Sequence, residues 1–185
     1  MLWINSEEGN LTTLSDRSSL RRAFLLPVHI GQLCRATIAG MRYETVTPLQ
    51  VTRICRDLIE ANFRETGVCG SELRLDESLY KALEGSPSFA IVAFNGDDQP
   101  VGLVSVFVSR HQHTCELIAT NDTLYCTPAY RKVGLGGKLF RLAELEAKKR
   151  GAKIFQWAVH EGSGMDHALA RRPYLAKQVV YFREV

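Results

Sequence analysis

Leu-Tyr-Cys-Thr-Pro-Ala-Tyr-Arg-Lys-Val-Gly-Leu-Gly-Gly-Lys, residues 124–138, is the stretch from which the fold of this chain is predicted. It has the pattern of a β-strand that passes through a glycine-rich, basic turn directly into a helix. The glycines Gly134, Gly136 and Gly137 permit backbone conformations that a Cβ would forbid, and they leave amide N–H groups accessible to a ligand. The helix that follows directs its unpaired N-terminal amides and its positive dipole end to the same place. The stretch therefore predicts a binding site for a phosphate or a similar anion.

The spacing of this turn distinguishes between kinds of phosphate site. Three basic side chains, Arg131, Lys132 and Lys138, surround it. A Walker motif requires a glycine where Lys132 stands, and Leu139 replaces the Ser or Thr that would bind magnesium. A dinucleotide motif that began at Gly134 would require a third glycine at position 139, within a strand-helix-strand unit that is not found here. The spacing therefore excludes a P-loop and argues against a Rossmann site.

The pattern that does fit is Arg-x-x-Gly-x-Gly, from Arg131 to Gly136, after a strand that leads into Pro128. With its flanking residues, 124–139, it resembles the acyl-CoA signature of the GNAT superfamily of N-acetyltransferases. The resemblance covers about residues 41–185 and is tight only over 124–140. It implies acetyl-CoA as acyl donor and an α/β (α+β) fold, a single domain with a central mixed, mostly antiparallel sheet flanked by helices.

The resemblance also implies a role for each part of the stretch. Backbone groups of the strand residues Leu124 and Cys126 would hold the pantetheine arm as a neighbouring strand would. Backbone amides from Arg131 to Gly136, joined by Gly137, would bind the pyrophosphate. The cofactor-binding residues implied in this way are Leu124, Tyr125, Cys126, Arg131, Lys132, Val133, Gly134, Leu135, Gly136, Gly137 and Lys138.

Composition limits the class of protein. The chain has 185 residues, a net charge of +3 and five cysteines. This length suits one domain, and no apolar run is long enough to span a bilayer. A net charge this small does not favour binding to nucleic acid. The odd cysteine count without a Cys-x-x-Cys pair indicates reduced, mostly buried thiols, and His111 and His113 lack further metal ligands. We therefore expect a cytoplasmic monomer or homodimer with no metal, membrane or nucleic-acid partner.

Periodicity predicts a mixed α/β domain from Met41 onward. The predicted elements are a strand at 42–47, a helix from 48, a helix at 77–83, antiparallel strands at 88–94, 101–108 and 115–126, a helix at 134–150, a strand at 152–159, a helix at 165–172 and a closing strand or hairpin at 174–184. The strand after the long helix is expected to be buried. Within the long helix, the ion pairs Glu144–Lys148 and Glu146–Arg150 are expected at i,i+4 spacing. This is also the element order of the GNAT superfamily.

Residues 1–40 do not fit this pattern and are interpreted as an N-terminal extension to a domain at 41–185. The segment Arg-Arg-Ala-Phe-Leu at 21–25 looks like a twin-arginine export signal, but the region that follows is interrupted by a proline and polar residues. Acidic residues near the N-terminus argue against a transit peptide. We expect a polar arm with a helix at about 18–38, and we expect Met41 to serve as an alternative translation start.

Acetyl transfer requires a base that takes the proton from the amine. The resemblance implies a glutamate on the strand before the turn or on the strand after it, but this chain has Thr120 and Ala158 there. The nearest acid is Asp122, which falls either in the strand or at a turn or bulge. His160 carries an imidazole, a common general base, and is predicted to lie with Glu161 at the end of the later strand. These three residues are the candidates for the base.

The leaving thiolate has no obvious proton donor in this sequence. Many relatives carry a tyrosine in the last short helix, where this chain has Leu169. Tyr174 is the candidate replacement, and His167 has a similar claim, although a thiol can also leave unaided near neutral pH. The chain is thus interpreted as an N-acetyltransferase for a primary amine of a small molecule or protein. The alternative is a non-catalytic acyl-CoA-binding sensor or interaction module.

The acceptor is not determined by the sequence. The resemblance implies that the acceptor groove is formed by about 63–83 and 162–178. Acids that would attract a cationic amine are Glu65, Glu72, Asp76 and Glu77. Bases that would receive an acidic acceptor, or the phosphates of the cofactor, are Arg171, Arg172 and Lys177.

Overall fold

The computed structural model describes residues 40–66, 72–173 and 175–177. In chain order the elements are β1 (Arg42–Val46), α1 (Pro48–Ile54), α2 (Arg56–Thr66), α3 (Glu77–Ala82), β2 (Phe89–Phe94), β3 (Pro100–Arg110), β4 (Leu117–Cys126), α4 (Pro128–Arg131), α5 (Leu135–Lys149), β5 (Ala152–Gln156) and α6 (Gly164–Ala170). The helix predicted at 18–38 falls outside the described residues. The closing strand or hairpin predicted at 174–184 also falls outside them, except for 175–177, which have no regular structure.

The strands form one sheet in the order β1-β2-β3-β4-β5. Neighbours from β1 to β4 are antiparallel, and β5 is parallel to β4. The turn between β2 and β3 accommodates Asp98 in the left-handed region, with φ 56°, a conformation that Asp adopts more readily than most residues. The predicted mixed, mostly antiparallel sheet is confirmed.

Helices cover both faces of the sheet. On one face, Leu135 and Leu139 of α5 are fully buried in a cluster with Val104 of β3. On the other face, Val51 of α1 is buried with Leu103 of β3. The alternation of Leu103 and Val104 between the two clusters is the two-residue period of a strand that is covered on both sides.

Local sequence accounts for where the helices begin. Thr47 and Gln50 form a capping box at the start of α1, in which each side chain accepts a hydrogen bond from the other residue's backbone N–H, and Pro48 occupies the first helical position. Local sequence also accounts for where the long helix α5 ends, because Gly151, with φ +91°, follows its last turn and stops it. These starts and stops were predicted to within a few residues.

Two predictions around the long helix were wrong. The strand β5 is shorter than expected and largely exposed, with Lys153 and Ile154 both open to solvent, because β5 is the edge strand of the described sheet. The ion pair between Glu146 and Arg150 forms at 2.7 Å. Glu144, however, accepts a hydrogen bond from Trp157 Nε1 at 3.3 Å instead of pairing within the helix.

Candidate functional site

The strand β4 extends further than its parallel neighbour β5. Their pairing runs from Leu117 opposite Ala152 to Thr120 opposite Gln156, whereas β4 continues to Cys126. Beyond Thr120, this edge of β4 has no strand partner among the residues that the structure describes. The end of β4 therefore presents an open edge.

Backbone hydrogen bonds to β3 show which groups point to that edge. The Thr127 N–H donates to the Val101 carbonyl at 3.0 Å. Because bonding alternates along an antiparallel pair, Tyr125 bonds β3 as well, and Leu124 and Cys126 direct their N–H and C=O groups away from it. The Cys126 carbonyl already accepts a hydrogen bond from Arg131 Nε at 2.9 Å. An extended ligand could pair with this edge as an added strand.

The glycine turn leads from β4 into α5 through a short helix, α4, which was not predicted. Gly134 has φ 89° and ψ 10° and caps α5. The first bond of the helix joins the Lys138 N–H to the Gly134 carbonyl at 3.1 Å. The N–H groups of Leu135, Gly136 and Gly137 precede that bond, and a helix leaves such first-turn donors without an intrahelical partner. A Cβ at Gly134 or Gly137 would meet nothing within 4 Å, so the surface beside these amides is open to a ligand.

The side chain of Arg131 forms an ion pair beside the glycine turn. Its Nη2 is 2.7 and 2.8 Å from the two carboxylate oxygens of Glu65 on α2. Tyr125 also donates its hydroxyl to Glu65, at 3.1 Å. The hydrogen bond from Arg131 is the largest of the effects that lower the pKa of Glu65. Arg131 thus ties the turn to α2 and to the end of β4, while the exposed Lys132 and Lys138 leave positive charge at the turn.

Asp122 is the extra residue of a β-bulge in β4. The register between β3 and β4 shifts there, with Ser105 opposite Thr123 but Val106 opposite Asn121. Thr123 Oγ1 and Ser105 Oγ donate to Asp122 Oδ2 at 3.2 and 3.5 Å. The bulge re-aims the side chain relative to a regular strand. The sequence left a turn or a bulge open at this position, and the structure has the bulge.

The surroundings of Asp122 favour its protonated form. Its side chain reaches solvent, but nearby protein atoms partly desolvate it and raise its pKa above the ordinary value. The hydrogen bonds from Thr123 and Ser105 oppose that rise. Tyr80 of α3 lies within electrostatic reach, because the charge of Asp122 adds to burial in raising the pKa of that phenol. A carboxylate with a raised pKa is a better proton acceptor than an ordinary one.

The other candidate catalytic residues lie on different elements. His160 and Glu161 are exposed in the segment after β5. Leu169, at the position of the expected tyrosine, is buried on α6, and His167 on the same helix is exposed. Tyr174 lies outside the described residues.

Asn121 connects the segment after β5 to β4. Its Nδ2 donates to the Ala158 carbonyl at 3.0 Å, and the Ala158 N–H donates to its Oδ1 at 2.7 Å. His160 follows two residues later, so the structure ties that segment to β4 beside Asp122. Sequence reasoning considered Asn121 only as part of a turn or bulge and did not single out Tyr80 at all. Asn121 lies in a run of four polar residues at 120–123 of β4, which did not set it apart from its neighbours, and no signal marked Tyr80.

The charged residues proposed for the acceptor groove are engaged within the protein. Ion pairs or hydrogen bonds join Glu65 to Arg131, Glu72 to Arg74, Glu77 to Arg53, Asp76 to Ser78, Lys177 to Asp166, Arg172 to Glu144, and Arg171 to the His167 carbonyl. Their charges therefore do not by themselves indicate an acidic or a basic acceptor.

Within the described ranges, no group of three or more His, Cys, Asp or Glu side chains could hold a metal ion. Cys55 and Cys126 are buried free thiols and Cys115 is exposed. Cys34 and Cys69 lie outside the described residues. No helix of the described part of the chain is long and apolar enough to cross a membrane.

A family model described as the acetyltransferase (GNAT) family matches residues 53–172. The match includes the end of β4, the glycine turn and α6. No curated protein sequence matches this chain significantly.

Solved structures share the fold at low sequence identity. An aminoglycoside acetyltransferase from an uncultured soil metagenomic sample is 19% identical, with a TM-score of 0.63 over 78% of this chain and 95% of its own. The ribosomal-protein-alanine N-acetyltransferase of Brucella melitensis biovar Abortus 2308 is 15% identical, with a TM-score of 0.60 over 79% of this chain and 100% of its own. Glucosamine-6-phosphate N-acetyltransferase from Arabidopsis thaliana is 10% identical, with a TM-score of 0.56 over 78% and 97%.

Proposed function

The chain belongs to the acetyltransferase (GNAT) family and is an acyltransferase, and on that premise we propose that it transfers the acetyl group of acetyl-CoA to a primary amine of a small molecule or a protein. The observation that carries the donor assignment is the open edge of β4, which runs directly into the glycine turn at the start of α5. When bound, acetyl-CoA supplies the activated thioester. The residues described below supply binding, orientation and proton transfer.

The donor site combines two kinds of backbone contact. Leu124 and Cys126 offer strand-type groups to the amide-containing pantetheine arm, as an added strand would require. The N–H groups of Leu135, Gly136 and Gly137 point toward the N-terminal end of α5, which suits the pyrophosphate. The side chain of Tyr125 packs on the α2 side of β4, so we propose that Tyr125 contributes by fixing the strand.

Asp122 is the general base that the geometry favours. It lies on β4 two residues before Leu124, its carboxylate reaches solvent, and partial desolvation raises its pKa toward the range in which a base is effective. Thr123 and Ser105 orient the carboxylate through Oδ2. We propose that it takes the proton released by the amine as nitrogen bonds to the acyl carbon.

His160 and Glu161 remain alternative bases. Both are exposed, and Asn121 ties their segment to β4. For the proton that returns to the thiolate, Tyr174 remains a proposal, and Tyr80 becomes a second candidate because its phenol lies within electrostatic reach of Asp122. The candidate bases can be distinguished by replacing each one in turn with an uncharged side chain of similar shape. Only replacement of the true base should change the acidic limb of the pH–rate profile.

The proposal predicts amine-dependent release of free thiol. Purified protein with acetyl-CoA would be tested against an aminoglycoside, a polyamine, an amino sugar phosphate and a peptide with a free N-terminus. We expect thiol release above background with at least one of them, and a mass increase of one acetyl group on that amine. Measurable CoA binding with no thiol release for any amine would favour the non-catalytic module, while no CoA binding would contradict the donor assignment.

A further inference from the structure

The buried side-chain amide of Asn121 makes two hydrogen bonds between β4 and the segment after β5. Asn121 is 8% exposed. Its amide nitrogen donates to the Ala158 carbonyl at 3.0 Å, and its amide oxygen accepts from the Ala158 N–H at 2.7 Å. A side-chain amide has the same donor and acceptor as a backbone peptide group, so Asn121 takes the place of a backbone partner.

The position of this contact in the sheet is the second observation. Direct pairing between β4 and β5 ends at Thr120 opposite Gln156. Asn121 is the next residue of β4, and the bulge at Asp122 follows it. Paired strands lie about 4.8 Å apart, and inserting a side-chain amide between two backbones requires a wider gap. The two chains therefore separate where the open edge of β4 begins, and Asn121 spans the gap at that point.

We infer that Asn121 is a positioning residue for the acyl donor: its amide holds β4 and the segment at 157–160 apart at a set width. This inference rests on the proposed function, in which the pantetheine arm lies along the edge of β4 beyond this point. The contact lies directly beside the bulge, so it also positions Asp122 relative to the arm. Asn121 itself touches Ala158 and does not act on the reacting atoms.

The chemistry of the contact restricts what can replace Asn121. Aspartate has nearly the same shape but no N–H to donate, and its charge would face the Ala158 carbonyl. Alanine removes both hydrogen bonds and leaves the Ala158 backbone groups without their partner. Either change should alter the width of the gap.

The test compares Asn121→Asp and Asn121→Ala with a neighbouring control. Thr120→Val removes the Oγ1 to Gln156 Oε1 hydrogen bond of 3.3 Å but retains the backbone pairing. For both Asn121 variants we expect the Kd for CoA, measured by calorimetry, and the KM for acetyl-CoA to rise about tenfold, because a change in the gap should cost the arm about one or two hydrogen bonds to β4. For Thr120→Val we expect values within about twofold of the wild type, since only one exposed hydrogen bond is lost.

Folding is monitored separately, because a purely structural role would lower the Tm without changing Kd or KM of the folded protein. Amide hydrogen exchange at Ala158 gives a readout that does not depend on activity. Its protection should fall in Asn121→Ala, which removes the acceptor of the Ala158 N–H, and should fall less in Asn121→Asp, whose carboxylate can still accept that bond. If Asn121→Ala does not fold, Asn121→Asp provides the same comparison. Folded Asn121 variants with Kd and KM near wild-type values would overturn the inference alone. Wild-type protein that binds no CoA would overturn the proposed function and the inference with it.

Discussion

Asp122 illustrates how one residue acquires its chemistry from its position in a strand. The bulge at Asp122 turns its carboxylate toward the hydroxyls of Ser105 and Thr123. Desolvation raises its pKa, while those two hydrogen bonds limit the rise. The result is a carboxylate that is a stronger base than usual and remains accessible to an acceptor.

Replacing Asp122 with Asn should reduce turnover while retaining the shape of the side chain. We expect kcat to fall about 10²- to 10⁴-fold, the usual contribution of a general base. The wild-type pH–rate profile should rise with pH as Asp122 loses its proton, and that limb should be lost in Asp122→Asn. Asp97→Asn, in the turn between β2 and β3, is the matched control and should leave the profile unchanged. An unchanged kcat in Asp122→Asn would assign the base to another residue.

The same substitution has a predicted effect on stability. Because the pKa of Asp122 is higher in the folded state, the folded protein binds more protons than the unfolded chain between the two pKa values, and stability falls as pH rises through that window. At neutral pH the ionised carboxylate therefore destabilises the fold. We expect Asp122→Asn to increase the free energy of unfolding at pH 7, relative to wild type, and to lose that advantage below about pH 4. Urea titrations at both pH values measure this difference.

A substitution at Gly136 tests the proposed pyrophosphate site in the glycine turn without straining the backbone. Its Cβ would lie 3.8 Å from Cys126 Sγ, an ordinary contact, and valine and glycine differ by less than about 0.5 kcal/mol in helix propensity. Gly136→Val should therefore fold but place a branched side chain beside the first-turn amides. We expect the Kd for CoA to rise by at least about tenfold, or 1.4 kcal/mol.

Two comparisons make the Gly136 result interpretable. Gly96→Val, in the turn between β2 and β3, also has open space around its Cβ and should leave the Kd unchanged. Gly134 is a poorer choice because its φ of +89° would strain any other residue by about 1–2 kcal/mol. Unchanged CoA affinity in folded Gly136→Val would mean that the turn is not the pyrophosphate site.

At the scale of elements, α5 contributes to the site because it packs closely on the sheet. Gly102 of β3 lies directly under the helix, where a Cβ would be 2.9 Å from Leu135 Cδ2 and 3.2 Å from Leu139 Cδ1. Both leucines are fully buried, so they have little room to move. The absence of a side chain at Gly102 thus determines how closely the start of α5 approaches the end of β4.

Gly102→Ala should therefore disturb both stability and binding. Overpacking of this kind costs about 1–3 kcal/mol of unfolding free energy, and a shift of α5 should also weaken CoA binding. Chemical denaturation and calorimetry on the same preparation measure the two effects. Gly96→Ala is the control, since a Cβ there meets nothing within 4 Å. A Gly102→Ala protein as stable as wild type would contradict the close packing described here.

At the scale of the whole molecule, the proposed donor site joins elements from distant parts of the chain. Arg131 contacts Glu65 across 66 positions, and Asn121 contacts Ala158 across 37. A ligand that pairs with β4 and with α5 should stabilise these elements together. Binding to the folded state alone adds a free energy that depends only on ligand concentration and Kd.

CoA at 100 times its Kd should therefore stabilise the chain by about 2.7 kcal/mol, which corresponds to a rise in Tm of roughly 5–11 °C for a protein of this size. Thermal unfolding with and without CoA measures this, and the Gly136→Val variant should show a much smaller rise. Adenosine, which lacks the pyrophosphate and the pantetheine arm, is the ligand control. No shift with CoA would contradict the proposed donor site.

Most of the fold could be predicted because its signals are local. The glycine turn, the element order, the helix start at Pro48 and the stop at Gly151 depend on backbone preferences and hydrophobic period within a few residues. The exposure of β5 could not be predicted, since an apolar run does not show how much of its strand the rest of the chain covers. The role of Glu144 was missed for a similar reason, because its partner Trp157 lies beyond the helix.

The sequence by itself determined the strand, turn and helix at 124–138 and, through them, the family. Only the tertiary structure decided that Asp122 lies in a bulge, that Glu65 engages Arg131 and that Asn121 spans the gap to Ala158. Backbone preferences are short-range and can be recognised from neighbouring residues. Strand register and contacts between distant side chains depend on how the whole chain packs, and the acid-base chemistry proposed for this site depends on those contacts.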